Sequence, residues 1–324
     1  MRKTIIAYMR DDEIIDELAT KHDVIRFLNN EYLGDEAFTK ALAKADGIIG
    51  LNLAVTKELL DCAPNLKIVS NTSVGYDNLH IEEMTKRKIM ATNTPGVLDD
   101  TTADLVIALM LAAARRVTEL DHYVKSGQWD KVLQPHQYGV DVHHKTLGII
   151  GMGNIGTAIA KRARFGFNME ILYYNRRRNL EAEKLVEATY CNLDELLMRS
   201  DFVCLMVPAT TETRKMIGKE ELKKMKKTAI FINASRGQNV DENALYEALR
   251  NGDIYAAGID VFEKEPTDKN NPLLTLKNIV TLPHIGSSTI ECEQNITKLA
   301  VENLLAGLEG RKPPNLINEE VWNE

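Results

Sequence analysis

The sequence predicts an α/β protein built from two doubly wound parallel-sheet domains. A short apolar run at residues 147–150 leads into a Gly-x-Gly-x-x-Gly turn at residues 151–156, and a helical apolar pattern follows. A second apolar run at residues 171–174 completes a strand–turn–helix–strand unit of about 30 residues. Alternating apolar and helical segments lie on both sides of this unit, so it opens the second of two domains.

Size and composition limit the class of protein. The chain has 324 residues, 44% of them hydrophobic and 27% charged, and a formal net charge of −7. This charge argues against a nucleic-acid or anionic-membrane partner, and no window approaches the ~18 apolar residues of a membrane span. The N-terminal run reads as a first strand rather than a signal peptide. Four cysteines without C-x-x-C spacing predict no zinc site and no disulfide framework. We therefore expect a cytoplasmic protein without a bound metal.

The first domain alternates strands and helices. Strands are expected at residues 3–8, 46–50, 66–70 and 88–92, with helices at Asp35–Lys44 and Thr56–Cys62 between them. A turn containing a glycine follows the third strand, at residues 70–77. Its exposed N–H groups could receive a carboxylate, or it could be an ordinary turn.

A hinge and a long apolar helix follow the first domain. Residues 94–96, Thr-Pro-Gly, break the chain, and Asp100 or Thr101 can cap a helix that runs from Thr102 to about residue 116. This helix is apolar nearly all round, so we expect it to be buried on every side, between domains, between subunits, or both. Residues 117–144 lack strong periodicity and read as an arm over a partner subunit or as a long surface loop.

Each glycine of the turn at residues 151–156 has a physical role in a dinucleotide site. Gly151 permits a tight turn, Gly153 lets the backbone approach a pyrophosphate, and Gly156 brings the helix close to the sheet. The N–H groups and dipole at the start of the helix then bind the phosphates.

The end of the next strand indicates which dinucleotide is bound. An NAD site usually has a carboxylate about 20 residues past the glycines, where it binds the ribose hydroxyls. This chain has Asn175-Arg176-Arg177-Arg178 there, and no carboxylate before Glu181. Guanidinium groups bind a 2′-phosphate, so we expect NADP(H) to be preferred over NAD(H), with Arg176 and Arg177 as ligands. The alternative is a solvated charged run before a helix at Leu180–Ala188.

The rest of the second domain continues the alternation. Strands are expected at residues 201–207, 228–232, 255–260 and 279–282, and helices at Asn192–Arg199 and Glu242–Asn251. These would complete a parallel sheet of about six to seven strands with helices on both faces. The last helix, from Thr289 to about Leu308, is expected to return to the first domain.

Polar residues follow several of these strands, at the edge where doubly wound sheets bind ligands. Reduction of a small keto acid by a nicotinamide needs a cation for the carboxylate and a proton donor at the carbonyl oxygen. Arg236 suits the first role and His284 the second, and Glu265 could accept the second N–H of the imidazole. Taken singly, each could be a surface or structural residue. Their shared position at one sheet edge favours a functional set.

The order of five motifs resembles that of the D-isomer-specific 2-hydroxyacid dehydrogenase family. These motifs are Val74-Gly75-Tyr-Asp, Gly151–Gly156, Asn233-x-Ser-Arg-Gly, Gly258-Ile-Asp-Val-Phe-Glu-Lys-Glu-Pro and Leu282-Pro-His-Ile-Gly. The resemblance covers essentially the whole chain. Within the family, the sequence is most similar to glyoxylate/hydroxypyruvate reductases and 2-ketogluconate reductases.

The resemblance implies a fold in which a Rossmann-type NAD(P)-binding domain, residues 99–286, is inserted into a smaller flavodoxin-like substrate domain, residues 1–98 and 287–324. It also implies a homodimer formed through the helix and arm at residues 101–144. The implied catalytic residues are Arg236, Glu265 and His284. The implied substrate-binding residues are Asn52, Val74, Gly75 and Arg236. The implied cofactor-binding residues are Val74, Thr102, Gly151, Gly153, Asn154, Ile155, Gly156, Asn175, Arg176, Arg177, Pro208, Ala234, Arg236, Asp260, His284 and Gly286.

These observations lead to the expectation of an NADPH-preferring reductase that converts small 2-keto acids to D-2-hydroxy acids, with His284 as the general acid. Glyoxylate, hydroxypyruvate and 2-ketogluconate are the candidate substrates, and the sequence does not distinguish between them. One alternative is an NAD-dependent D-lactate or 3-phosphoglycerate dehydrogenase. Another is a non-catalytic protein that senses dinucleotides.

Overall fold

The computed structural model describes residues 2–9, 11–27, 35–51 and 53–322. The chain divides into two compact units. The first consists of Met1–Leu98 and Thr289–Glu324, and the second is Asp99–Ser288. The second unit therefore extends two residues beyond the end that the sequence predicted at residue 286.

The first unit is a five-stranded, fully parallel sheet. Its strands are β1 (Thr4–Tyr8), β2 (Asp23–Arg26), β3 (Gly47–Gly50), β4 (Ile68–Asn71) and β5 (Met90–Thr92). They lie in the order β2-β1-β3-β4-β5. This is the order of flavodoxin-like sheets, with a topological switch point between β1 and β3.

The described residues of the first unit include five α-helices. They are α1 (Asp12–Lys21), α2 (Glu36–Leu42), α3 (Lys57–Asp61), α4 (Ile81–Lys86) and, from the C-terminal part of the chain, α12 (Ile290–Leu308). The last of them packs against β3 and β4. The hydroxyl of Ser70 on β4 donates a 2.7 Å hydrogen bond to the carbonyl oxygen of Ala300. Residues 289–324 thus complete the core of a unit that begins at the other end of the chain.

The second unit is a seven-stranded, fully parallel sheet. Its strands are β6 (Thr146–Ile150), β7 (Glu170–Tyr174), β8 (Thr189–Tyr190), β9 (Phe202–Leu205), β10 (Ile230–Asn233), β11 (Ala256–Ile259) and β12 (Ile279–Thr281). They lie in the order β12-β11-β10-β9-β6-β7-β8. The order reverses between β6 and β9, which is the switch point of a Rossmann-type sheet.

Helices lie on both faces of this second sheet. The α-helices of the second unit are α5 (Asp99–Ala114), α6 (Val117–Lys125), α7 (Asn154–Phe167), α8 (Leu180–Val186), α9 (Leu193–Arg199), α10 (Lys219–Lys224) and α11 (Glu242–Asn251). One of them, α6, packs against α5. Alternate residues of the central strands enter two separate apolar clusters, one for each face. Leu147 and Ile149 of β6 belong to one cluster, and Ile150 to the other. Burial on both faces explains why these strands are continuous apolar runs.

The structure corrects the expected start of the helix in residues 99–144 and shows its surroundings in the single chain. The helix α5 begins at Asp99, so Asp100 and Thr101 lie in its first turn and do not cap it. It is also not buried on every side within this chain, because Asp104 and Ala108 are exposed. Part of the stretch read as an arm forms α6, in which no residue is buried.

No helix among the residues that the structure describes is long and apolar enough to span a membrane. All four cysteines are free thiols. Within the described ranges, no group of three or more His, Cys, Asp or Glu side chains could hold a metal ion.

Candidate active site

The glycine turn after β6 is tightly packed at two positions and open at the third. Gly151 has φ 108°, and a Cβ there would lie 2.3 Å from the carbonyl oxygen of Met206. A Cβ on Gly156 would lie 2.3 Å from the carbonyl oxygen of Gly151. A Cβ on Gly153, the residue before α7, would have no heavy atom within 4 Å apart from its neighbours in the chain. The open face at the start of a helix fits the pyrophosphate of a dinucleotide.

Two asparagine side chains hold the backbone of this turn. The side chain of Asn175 accepts a 2.7 Å hydrogen bond from the N–H of Met152 and donates one of 3.2 Å to its carbonyl oxygen. Asn179 donates a second bond to the same carbonyl, at 2.9 Å. The side chain of Asn175, predicted to contact the cofactor, is therefore bound to the glycine turn in this structure.

The three arginines after β7 differ in their interactions. Arg178 forms two hydrogen bonds to the carboxylate of Glu183, of 2.9 and 2.6 Å, and its guanidinium lies 5.7 Å from the ring centroid of Tyr190. Arg176 and Arg177 are exposed, and neither forms an ion pair in the described part of the chain. Arg176 and Arg177, the two arginines predicted to bind a 2′-phosphate, are thus the two of the run that form no ion pair with a carboxylate among the described residues.

An imidazole–carboxylate pair lies at the carboxyl edge of the same sheet. Nδ1 of His284 is 2.6 Å from Oε2 of Glu265, while Oε1 of Glu265 accepts a 2.9 Å hydrogen bond from the N–H of Phe262. His284 has φ 57°, and its N–H donates a 2.8 Å hydrogen bond to the carbonyl oxygen of Asp260. The His284 side chain remains 46% exposed.

The pair changes the acidity of both partners. The hydrogen bond to Glu265 raises the pKa of His284 above its ordinary value, against the opposing effects of burial and the charge of Arg236. Burial alone would raise the pKa of Glu265, but the hydrogen bonds from His284 and the Phe262 N–H outweigh it and lower that pKa. The arrangement therefore favours an imidazolium hydrogen-bonded to a carboxylate, which is a charged proton donor.

Arg236 lies on the loop after β10, next to the loop that carries Glu265. Asn233 shapes this loop: its Nδ2 donates to the carbonyl oxygen of Arg236 at 3.1 Å, and its Oδ1 accepts from the hydroxyl of Ser235 at 2.8 Å. A Cβ on Gly237 would lie 1.9 Å from the carbonyl carbon of Phe262, so only glycine permits the two loops to touch. Asn233 and Gly237 were not singled out as site residues, although the Asn233-x-Ser-Arg-Gly motif contains both.

Asp260, Thr102 and Gly286 form a contiguous group beside the imidazole. Asp260 is 1% exposed, and its Oδ1 accepts a 2.8 Å hydrogen bond from the N–H of Ile285. Burial raises the pKa of this carboxyl group. A Cβ on Gly286 would lie 3.4 Å from Oδ2 of Asp260 and 3.5 Å from Cγ2 of Thr102. All three residues were predicted to bind the cofactor, and the structure brings them together.

The remaining predicted cofactor residues lie on the loops and helices at this edge. Pro208 follows β9, Ala234 follows β10, and Asn154 and Ile155 are the first two residues of α7.

In the predicted carboxylate-binding turn of the first unit, asparagine side chains donate hydrogen bonds to two backbone carbonyl groups. Asn93 donates to the carbonyl oxygen of Val74 at 2.8 Å, and Asn71 to that of Gly75 at 2.7 Å. Within the described residues, the N–H groups of Val74 and Gly75 donate to no acceptor of the chain. Free N–H groups on adjacent residues suit a carboxylate. Asn52, the other predicted substrate residue, lies outside the described residues.

A Rossmann-type sheet with an open glycine turn and a charged imidazole–carboxylate pair at its carboxyl edge defines an NAD(P)-dependent oxidoreductase. The sequence matches the family model described as "D-isomer specific 2-hydroxyacid dehydrogenase, NAD binding domain" over residues 107–286. It is 48% identical over 322 residues to a glyoxylate/hydroxypyruvate reductase B from Salmonella paratyphi A, covering 99% of both chains. The chain belongs to the D-isomer-specific 2-hydroxyacid dehydrogenase family.

Solved structures agree with this assignment over the whole chain. A glyoxylate reductase from Paecilomyes thermophila superimposes with a TM-score of 0.88 at 30% identity, covering 98% of this chain and 99% of that one. An NADPH-dependent glyoxylate/hydroxypyruvate reductase from Sinorhizobium meliloti, in complex with NADP and malonate, gives 0.86 at 29% identity, covering 99% and 98%.

Proposed function

We propose that this enzyme is an NADPH-preferring reductase of small 2-keto acids, with glyoxylate and hydroxypyruvate as the first candidate substrates. The observation that carries the proposal is the 2.6 Å contact between Nδ1 of His284 and Oε2 of Glu265 at the dinucleotide-binding edge of the sheet. The similar proteins are named as glyoxylate/hydroxypyruvate reductases. Reduction of a keto group to an alcohol requires a proton donor of this kind. The absence of a carboxylate at residues 175–178 supports NADPH as the reductant.

In this reaction the chain binds, orients and protonates the substrate. The cofactor, when bound along the glycine turn, supplies a hydride to the C2 carbonyl carbon. Glu265 holds Nδ1–H of His284, so the second ring proton is on Nε2, from which it passes to the carbonyl oxygen as the alkoxide develops. Arg236 pairs with the substrate carboxylate.

A substrate panel tests the proposal. The purified enzyme is assayed with glyoxylate, hydroxypyruvate, 2-ketogluconate, pyruvate and 3-phosphohydroxypyruvate, each with NADPH and with NADH. The highest kcat/KM is expected for glyoxylate or hydroxypyruvate with NADPH, and hydroxypyruvate should give D-glycerate. A preference for NADH with pyruvate or 3-phosphohydroxypyruvate would instead identify a D-lactate or 3-phosphoglycerate dehydrogenase. Tight NADPH binding without turnover of any keto acid would identify a dinucleotide-sensing protein.

We further propose that the enzyme acts as a cytoplasmic homodimer formed through residues 101–144. Five large apolar side chains in this stretch are exposed in the single chain, among them Trp129 at 62%, Val132 at 80% and Tyr138 at 57%. Exposed apolar groups clustered in one segment are typical of a subunit interface. The free thiols are consistent with a reducing compartment.

A further inference from the structure

The turn that carries Glu265 is held at both ends by one carboxylate from another element. Glu242 is the first residue of α11. Its Oε1 accepts a hydrogen bond from the N–H of Glu263, and its Oε2 accepts one of 2.9 Å from Nδ2 of Asn271. The same Nδ2 lies 3.0 Å from the hydroxyl oxygen of Thr267. Glu242 therefore fixes the chain on both sides of Glu265.

The opposite side of the turn rests on the loop that carries Arg236. Gly237 allows direct backbone contact with Phe262, and Nε2 of Gln238 donates a 3.3 Å hydrogen bond to the carbonyl oxygen of Glu263. The turn is closed internally by the bond from the Phe262 N–H to Glu265. Contact with the Arg236 loop on one side and with Glu242 on the other thus fixes the backbone from which Glu265 projects.

We propose that Glu242 is a positioning residue for proton transfer, which keeps Glu265 within hydrogen-bond distance of His284. The inference rests on the proposed function and adds a residue that touches neither substrate nor cofactor. Its physical basis is the steep distance dependence of a charge-assisted hydrogen bond. A turn released at Glu263 and Asn271 would let the carboxylate of Glu265 move away from the imidazole, and the His284 pKa would fall toward its ordinary value.

The test separates positioning from general stability. The His284 titration is followed by NMR of the histidine side chains in the full-length protein, with the signal assigned from His284→Gln. In Glu242→Gln, where an amide replaces one of the two acceptor oxygens, we expect the titration midpoint to fall by about 0.5 pH unit or more. The kcat/KM for keto-acid reduction at pH 8 should fall about 3- to 10-fold. Loss of thermal stability alone would leave the midpoint unchanged.

Two further variants make the result interpretable. Glu247→Gln is the matched control, since Glu247 lies on the same helix and forms an exposed ion pair with Arg250, and its midpoint should equal that of the wild type. Asn271→Ser removes the amide donor to Glu242 but keeps an oxygen that can accept from the N–H of Leu273. It should lower the midpoint in the same direction, and it serves as the test if Glu242→Gln does not fold.

A double variant gives the decisive comparison. In Glu265→Gln the midpoint is already lowered, so adding Glu242→Gln should lower it no further. An unchanged midpoint in Glu242→Gln, or an equal further fall in the double variant, would overturn the proposal. The NMR titration needs no turnover, so it tests Glu242 separately from the proposed function. Failure of the wild type to reduce any keto acid would refute the function and leave the titration result standing.

Discussion

At the scale of single residues, the site depends on keeping a weak base protonated. An isolated imidazole is mostly neutral at pH 7.5, but the carboxylate of Glu265 stabilises the charged form of His284. The same contact fixes the tautomer, so that Nε2 carries the transferable proton. One hydrogen bond therefore sets both the pKa and the orientation of the His284 imidazole.

Removing the imidazole tests its role as general acid. In His284→Ala we expect kcat for keto-acid reduction to fall by about 10²- to 10⁴-fold, because the developing alkoxide loses its proton donor. The Kd for NADPH, measured by fluorescence titration, should change little. His136→Ala, a substitution of an exposed histidine on the arm, should leave kcat unchanged. A near-normal kcat in His284→Ala would remove this residue from the mechanism.

The pH dependence follows from the signs of the two pKa shifts. Reduction needs the imidazolium, so kcat/KM should be highest at low pH and fall as the pH rises through the raised pKa of His284. Oxidation of the hydroxy acid needs the neutral ring and should show the opposite trend. In Glu265→Gln the midpoint of both profiles should move to lower pH. Profiles measured in both directions, with and without this substitution, check the prediction, and superimposable profiles would contradict it.

The pair should also affect stability in a defined pH range. The raised pKa of His284 contributes to the free energy of unfolding. This contribution is complete below the ordinary pKa of 6.5 and is lost as the pH rises through the raised pKa. The lowered pKa of Glu265 also contributes to the free energy of unfolding. This contribution is complete above the ordinary pKa of 4.5 and is lost as the pH falls through the lowered pKa. The difference in Tm between the wild type and Glu265→Gln should therefore be largest between these two values. A difference that keeps growing above pH 8 would be inconsistent with this linkage.

The cofactor preference rests on two arginines. Replacing Arg176 and Arg177 by alanine should raise the Kd for NADPH by about 10- to 100-fold, because charge-assisted hydrogen bonds to the 2′-phosphate are lost. The Kd for NADH should change much less. Arg250→Ala, which removes an exposed arginine of α11, is the control. If the ratio of the two dissociation constants does not move, the phosphate is bound elsewhere.

At the scale of elements, the junction between β6 and α7 decides whether a dinucleotide can bind. The helix begins close to the strand only because Gly156 has no side chain against the carbonyl of Gly151. The two asparagines bound to Met152 then link this junction to the loop after β7. The glycine turn and the arginine run therefore form one connected structure.

Two glycines of the same helix should respond oppositely to alanine. In Gly156→Ala the new methyl group would lie 2.3 Å from a backbone oxygen, so we expect a lower Tm and loss of NADPH binding. In Gly166→Ala no atom lies within 4 Å of the added group, and a helical alanine is favoured over glycine by about 0.5–1 kcal/mol. That variant should have an equal or higher Tm and normal binding. Thermal melts and NADPH titrations of both would test the junction.

At the scale of the whole molecule, much of the segment after α5 is exposed in the single chain. No residue of α6 is buried, and Val124 is 51% exposed. A helix in this environment gains little from tertiary packing in a single subunit, so its stability is expected to come from a partner.

The dimer can be tested by placing charge on this surface. Wild-type protein should sediment as a dimer of two 36.4 kDa chains. Val124→Glu together with Val132→Glu should shift the equilibrium toward monomer, because a carboxylate would be buried in the interface. Leu274→Glu, a substitution of a 41% exposed residue outside the arm, should leave the dimer intact. A monomeric wild type would refute the proposed assembly.

The sequence by itself determined the parallel α/β class, the positions of the long buried strands and the glycine turn. Continuous apolar runs and glycine spacing are local signals, and they depend on neighbours only a few residues away. Arg236, Glu265 and His284 could be selected because each follows a predicted strand. The strands β2 and β8, and helices such as α6 and α10, are too short to be recognised from their periodicity.

Only the tertiary structure decided how the polar side chains pair. In the folded chain Arg178 binds Glu183, and the amide of Asn175 hydrogen-bonds the backbone of Met152. Glu242 likewise accepts a hydrogen bond from the turn that carries Glu265. Each of these contacts depends on where two loops or helices lie after the core has packed. Hydrophobic periodicity fixes which residues enter the core, but it does not fix which polar groups meet at the edge of the sheet.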